Sequence, residues 1–270
     1  MKYEAIQGDI VLYQEDFDLA QTLDCGQAFR WKCDENGIWS GYYLERYLEL
    51  YHKKENVIVF KNTSEEDFLN IWSVYFDLDT DYSVLKKRFS EDDILKKACD
   101  FAGGIRLLRQ DSWEALCSFI ISQNNNIPRI KGIISRMCEK YDGFPSPEAL
   151  AKETPESLAF LRAGFRAGYI IDAVQKVLSG ETDLDSIRKM PYEEAKKQLM
   201  KIKGVGPKVA DCVLLFGMYR TEAFPVDVWI KKVMANFYPD GMPECTKGYE
   251  GIAQQYLFHY ARNNSHLLEK

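Results

Sequence analysis

The chain has 270 residues, 46% of them hydrophobic and 13% aromatic, which is enough apolar side chain for about two or three packed units. It shows no low-complexity tract, solenoid repeat or apolar run long enough for a membrane span, and MKYEAIQGDI lacks the basic-then-apolar pattern of a signal peptide, so an intracellular protein with no membrane partner is expected. The net charge of −6 argues mildly against nucleic acid, but a DNA surface needs only a few well-placed cations, so composition leaves the partner open.

Phe29–Cys33, Ile38–Leu44, Tyr47–Tyr51 and Val57–Phe60 are rich in aromatic and β-branched residues and read as strands. Asn36-Gly37, between the first two, is a hairpin signal because both residues tolerate positive φ, and His52–Asn56 reads as a polar turn. An antiparallel meander follows. After about Glu65 the period becomes helical. Trp113, Leu116, Cys117 and Ile120 share one face, and Asp111 and Glu114 have the spacing of a capping box ahead of it. Ser146-Pro147, Thr154-Pro155 and Met190-Pro191 each place proline in the first turn of an expected helix, and a last helix is expected over about Lys247 to Arg262. Strands followed by helices give an α+β fold: an antiparallel sheet domain with flanking helices over 1–100 and a helical region over 101–270.

Within the helical region, Ile202-Lys203-Gly204-Val205-Gly206-Pro207-Lys208 joins a helix ending near Met200 to one running from Pro207 to about Met218. The glycines predict a tight turn with positive φ, Val205 can plug the gap between the helices, and the N–H groups opening the second helix suit a phosphate. This is a helix-hairpin-helix, a motif that grips a DNA strand by its backbone; the bland alternative is an ordinary glycine-rich turn. Lys208 falls in the first turn of the second helix, where the positive end of the dipole and partial desolvation favour a neutral, nucleophilic amine. Phe224-Pro225-Val226-Asp227 follows, just ahead of a helix over Val228–Phe237. Taken separately, Lys208 reads as a surface lysine and Asp227 as an N-cap; it is their joint spacing after a hairpin that points to chemistry.

The run Gly204 to Cys212 followed by Pro225-Val226-Asp227 resembles the helix-hairpin-helix–GPD superfamily of DNA glycosylases, and within it the 8-oxoguanine DNA glycosylases, in several blocks from Asp24 to Arg262. The resemblance implies an N-terminal antiparallel twisted sheet domain (TBP-like) followed by an all-helical helix-hairpin-helix–GPD region. It implies base excision by flipping, with Lys208 attacking C1′ and Asp227 assisting, then a Schiff base and β-elimination. Cys212 and Phe258 would sandwich the base, Gln254 would bond its pairing edge, and the Gly26 carbonyl would accept the N7 hydrogen that distinguishes 8-oxoguanine from guanine. Asn124, Arg129 and Arg166 would hold the widowed cytosine, Phe165 would wedge into the gap, and Gly204 and Gly206 would approach the strand. The implied partner is double-stranded DNA containing 8-oxoguanine, met by a monomer that is cytoplasmic and nucleoid-associated if bacterial.

No cofactor or metal is expected. The seven cysteines form no Cys-x-x-Cys pair, only Cys245 lies beyond Cys212, and His52, His259 and His266 lack ligand spacing. Two positions depart from the family pattern: Trp229 stands where many relatives have histidine, and Lys203 replaces the more usual hairpin proline. The rival readings are a monofunctional alkylpurine glycosylase, which Lys208 argues against, and a non-catalytic helix-hairpin-helix DNA-binding protein, which would need neither the lysine–aspartate pair nor the pocket residues.

Overall fold

A computed structural model describes residues 1–268. Strands β1 (Lys2–Ile6), β2 (Asp9–Tyr13), β3 (Lys32–Cys33), β4 (Trp39–Tyr43), β5 (Arg46–Lys54) and β6 (Val57–Lys61) form one antiparallel sheet in the order β1-β2-β6-β5-β4-β3. Register explains its two faces. Ile10 pairs with Phe60, Phe60 with Leu50 and Leu50 with Trp39, a row of buried side chains on one face. One residue along, Val11, Val59 and Tyr51 line the other.

The sheet departs from the sequence reading at four places. The hairpin β1–β2 was not expected: it turns on Gln7-Gly8, both at positive φ, and β1 is almost wholly exposed, so it carries little hydrophobic signal. The stretch Phe29–Trp31 is not strand, only Lys32–Cys33 is. Its apolar character serves burial instead, with the Trp31 indole donating to the Tyr75 hydroxyl at 2.7 Å. Strand β5 runs through Lys54 with a bulge near His52, leaving Glu55-Asn56 as the turn. Of Asn36-Gly37 only the glycine takes positive φ, because the Asp34 carboxylate accepts the Asn36 and Ile38 N–H groups and shapes a longer loop.

Helices α1 (Leu19–Leu23), α2 (Glu65–Asp67), α3 (Ser73–Tyr75), α4 (Tyr82–Phe89) and α5 (Asp93–Phe101) accompany the sheet. Then come α6 (Ser112–Ser122), α7 (Ile127–Tyr141), α8 (Arg166–Leu178), α9 (Leu184–Lys189), α10 (Tyr192–Leu199) and α11 (Pro207–Cys212), which continues as a π-helical turn over Val213–Gly217. The described chain ends with α12 (Val228–Phe237), α13 (Glu250–Asn263) and a short 3-10 turn. The expected cap of α6 forms, with Asp111 accepting from the Glu114 N–H at 2.8 Å. Of the three proline-led helices only α10 forms as read. Pro147 opens hydrogen-bonded turns, and Thr154-Pro155 leads into a 3-10 helix over Ser157–Leu161, since proline permits a first turn without supplying the contacts that extend it.

The chain packs into two compact units. One comprises Met1–Arg109 and the segment from Phe224 onward, so that α12 and α13 pack with α5 and the sheet's unit; the other is Gln110–Ala223. In the first unit the fully buried Arg106 donates to the carbonyls of Asp16, Phe76, Asp77 and Thr80, satisfying several loop acceptors with one planar cation. Among the described residues no helix is long and apolar enough to cross a membrane.

Candidate active site and nucleic-acid interface

In the unit Gln110–Ala223, the hairpin between α10 and α11 is held from inside by buried Ile202 and Val205, with the Val205 N–H donating to the Ile202 carbonyl at 3.0 Å. Gly204 sits at φ +81°, and a Cβ there would lie 2.2 Å from Cδ2 of Tyr169, so both backbone and packing require glycine. Gly206 differs from expectation: it is extended, at φ −91° and ψ −178°, and caps α11 without a side chain. A Cβ at Gly206 would meet nothing within 4 Å. The protein's own packing therefore does not demand that glycine, whereas close approach of an external backbone would. Pro207 follows at the first helical position, where a missing N–H costs nothing.

Lys208 comes next, half-buried, its Nζ 5.5 Å from the centre of the Phe119 ring. Phe119, on α6, is buried and stacks on Phe216 at 5.1 Å and 18°. Nothing local in the sequence singles out Phe119; it meets Lys208 only because α6 packs on α11. Cys212 ends α11 one turn beyond Lys208 and is buried. Between them, buried Asp211 accepts from the Tyr192 hydroxyl at 2.6 Å and from Lys196 Nζ at 2.9 Å, fastening α11 to α10. Burial raises the Asp211 pKa, opposed by its bonds to Lys196 and Tyr192. No local pattern in the sequence encodes this network, whose members lie 15 and 19 residues apart.

The asparagine run divides its labour. Asn125 donates to the Ile121 carbonyl, and Asn126 caps α7 by accepting the Arg129 N–H. Asn124 is exposed at φ +46°, and Arg129 projects from the first turn of α7, also exposed. Phe165 is 56% exposed at the start of α8. Arg166 does something the sequence did not suggest. Its guanidinium is buried and donates to the carbonyls of Gln123, Asn124 and Ala163, so it braces the Asn124 turn from behind. Burial, then the nearby Arg129 charge, lower its pKa from the ordinary guanidinium value.

The other unit carries Gly26, Asp227, Gln254 and Phe258. Gly26 takes φ +89°. Its neighbour Gln27 is fully buried, donates to the Thr22 and Arg106 carbonyls and accepts the Leu108 N–H, so the amide staples the turn that presents Gly26. On the other side, buried Cys25 donates through its thiol to Gln255 Oε1 at 3.7 Å. Burial pushes that thiol up to about 12. Gln255 donates to Gln254 Oε1 at 2.6 Å, and Gln254 donates to the Pro225 carbonyl at 3.2 Å. One hydrogen-bonded chain thus ties the Gly26 segment, α13 and the Pro225–Asp227 loop together. Phe258 lies one turn beyond Gln254, half-buried.

Asp227 caps α12, Oδ1 accepting from the N–H groups of Trp229 at 3.0 Å and Ile230 at 2.8 Å. Among the described residues of its own unit, no hydrogen bond reaches Oδ2. A fixed carboxylate with one oxygen committed and one in reserve can stabilise positive charge developing on a ligand. The ring of Trp229, the departure noted above, lies 5.5 Å from Lys232 Nζ.

Residues 9–116 match the model of the 8-oxoguanine DNA glycosylase N-terminal domain, and residues 117–246 match the HhH-GPD superfamily of base excision DNA repair proteins. The N-glycosylase/DNA lyase of Saccharomyces cerevisiae is 33% identical over 273 residues, an alignment spanning 86% of this chain and 71% of that protein. A probable N-glycosylase/DNA lyase of Methanothermobacter thermautotrophicus is 30% identical over 301 residues, spanning 92% and 95%. Among solved structures, the Clostridium acetobutylicum 8-oxoguanine glycosylase/lyase in complex with double-stranded DNA containing cytosine opposite 8-oxoguanine superposes with a TM-score of 0.91 at 42% identity, covering 98% of this chain and 99% of that one.

Proposed function

This chain belongs to the N-glycosylase/DNA lyase family of the HhH-GPD superfamily, and we propose that it excises 8-oxoguanine from duplex DNA and then nicks the strand at the vacated sugar, acting as a monomer. The observation that carries this reading is Lys208: an amine in the first turn of α11, directly after an uncapped glycine hairpin, lying over an aromatic ring with no ion pair among the described residues of its unit.

Chemistry on a stacked base requires that the nucleotide leave the helix. The hairpin holds the strand through backbone N–H groups and Gly206, while Phe165, an exposed apolar ring, fills the gap left behind. Asn124 and Arg129 offer donors and acceptors to the widowed cytosine, and Arg166 supports that surface from within. Cys212 in the one unit and Phe258 in the other are assigned to the faces of the flipped base, and Gln254 to its pairing edge. The Gly26 carbonyl accepts the N7 hydrogen of 8-oxoguanine; opposite guanine it would face a lone pair and go unpaired, a difference of ~1–3 kcal/mol.

Breaking the glycosidic bond builds positive charge on the sugar, which the Asp227 carboxylate stabilises. The Lys208 amine gives up a proton and forms a bond to C1′ as the bond to the base breaks, and the base departs with the electron pair, taking up a proton. Ring opening gives an imine between Nζ and C1′. The imine acidifies C2′, a proton is lost there, and the 3′ phosphate leaves by β-elimination. An end-labelled duplex with a single 8-oxoguanine, set in turn against each of the four bases, tests the reading. Strand cleavage without alkali is expected; cleavage only after alkali would point to the monofunctional alternative, and none at all to a non-catalytic binder.

A further inference from the structure

Lys203 occupies the hairpin position at which the family pattern has proline, and its backbone therefore keeps an N–H that proline lacks. That N–H is used: it donates to Oδ2 of Asp172 on α8 at 2.6 Å. The same face of α8 makes two further contacts with the hairpin. Lys176 Nζ donates to the Lys201 carbonyl at 2.5 Å and pairs with Asp172 at 3.2 Å, and the Tyr169 ring fills the space over Gly204. Tyr169 also meets the Phe165 ring edge-on at 5.5 Å. Phe165, Tyr169, Asp172 and Lys176 follow one another at intervals of three or four residues, a single stripe along the helix.

From this arrangement we propose that α8 is a strut coupling the wedge to the hairpin, and that Asp172 is its positioning residue. It holds the Lys203 amide and thereby fixes the register between Phe165 in the DNA gap and the turn that presents Lys208. Restriction that a proline ring would impose covalently is supplied here by a carboxylate on a neighbouring helix. The clamp is partly desolvated, with about a quarter of each of the Asp172 and Lys176 side chains exposed (24% and 22%), so the charge-assisted bond is not simply dissolved in water. The inference rests on the excision function proposed above.

Three variants test it: Asp172→Asn, Asp172→Ala, and Asp172→Ala combined with Lys203→Pro. The asparagine amide oxygen can still accept the Lys203 N–H, so Asp172→Asn excises within about threefold of wild type, whereas Asp172→Ala gives that N–H to water, frees the hairpin from α8 and lowers the single-turnover excision rate at saturating protein by about tenfold or more. Lys203→Pro in the alanine background dispenses with the N–H and restricts φ, and recovers most of the rate. A merely structural contribution would lower Tm across the series without rescue by proline. Hydrogen exchange of the Lys203–Gly206 amides in DNA-free protein reads the clamp itself: exchange should accelerate in Asp172→Ala. Wild-type rate and protection in Asp172→Ala would overturn the proposal, as would an asparagine variant as impaired as the alanine one. Should the wild type cut no 8-oxoguanine duplex, the function fails, and the exchange measurement still decides the clamp.

Discussion

Replacing Asp227 separates two jobs done by one carboxylate. Oδ1 closes the start of α12 by accepting the Trp229 and Ile230 N–H groups, while the negative charge is assigned to the sugar. Asparagine caps a helix about as well as aspartate, so Asp227→Asn should leave unfolding within about 0.5 kcal/mol of wild type. Asp227→Ala strands both donors and costs about 1 kcal/mol, a fall of about 2–4 °C in Tm for a chain of this size. Both variants lack the charge, so both should lose about 10²–10³ in single-turnover excision, the scale of one preorganised electrostatic contact. Rapid-quench excision of an end-labelled duplex gives the rates, scanning calorimetry the Tm and fluorescence anisotropy the DNA affinity, which should change little. Equal loss of Tm in the two variants would refute the capping argument. An asparagine variant that turns over within about tenfold of wild type would refute the electrostatic one.

Gly204→Ala imposes a left-handed backbone costing about 1–2 kcal/mol and drives a methyl into the Tyr169 ring. Tm should fall clearly and recover in part when Tyr169→Leu is added; a neutral single variant would show that the turn relaxes freely. His259 is half-buried beside the Phe101 ring, and burial, then the Arg262 charge, lower its pKa below the ordinary 6.5. The unfolded chain therefore takes up a proton that the folded one refuses, so this contribution to stability is present above pH 6.5 and is lost as pH falls through the folded value. His259→Gln should flatten the Tm profile below pH 6.5, and an unaltered slope would remove His259 from the account. Phe258→Ala should lower the preference for lesion over undamaged duplex in competition binding; an unchanged preference would mean that the ring serves only packing.

What could be read from the sequence was what is local. The helix-hairpin-helix, the Asp111 cap, the α12 boundaries and most of the meander depend on residues a few positions apart. The failures have the same root. Strand β1 is exposed and carries little hydrophobic signal, and Phe29–Trp31 looks like strand because a buried loop and a buried strand need the same apolar side chains. Pro147 and Pro155 satisfy the rule for a first turn, but no long helix packs there. Phe119 under Lys208, Arg166 behind Asn124, Gln27 on the Arg106 carbonyl and Asp172 on Lys203 join residues far apart in sequence, and no periodicity encodes such pairs. The roles given to Gly26, Gln254 and Phe258 came from family resemblance alone, because a turn glycine, a buried amide and a helical aromatic each have commoner uses.

Excision followed by strand cleavage at one site requires a covalent bond between one side chain and one carbon. Incubating the protein with 8-oxoguanine duplex in borohydride should reduce the imine and yield a stable protein–DNA adduct whose proteolytic fragment carries the modification on Lys208. Lys208→Gln should bind the same duplex and give no adduct. An adduct formed at full yield by Lys208→Gln, or mapped to a different amine, would contradict the assignment.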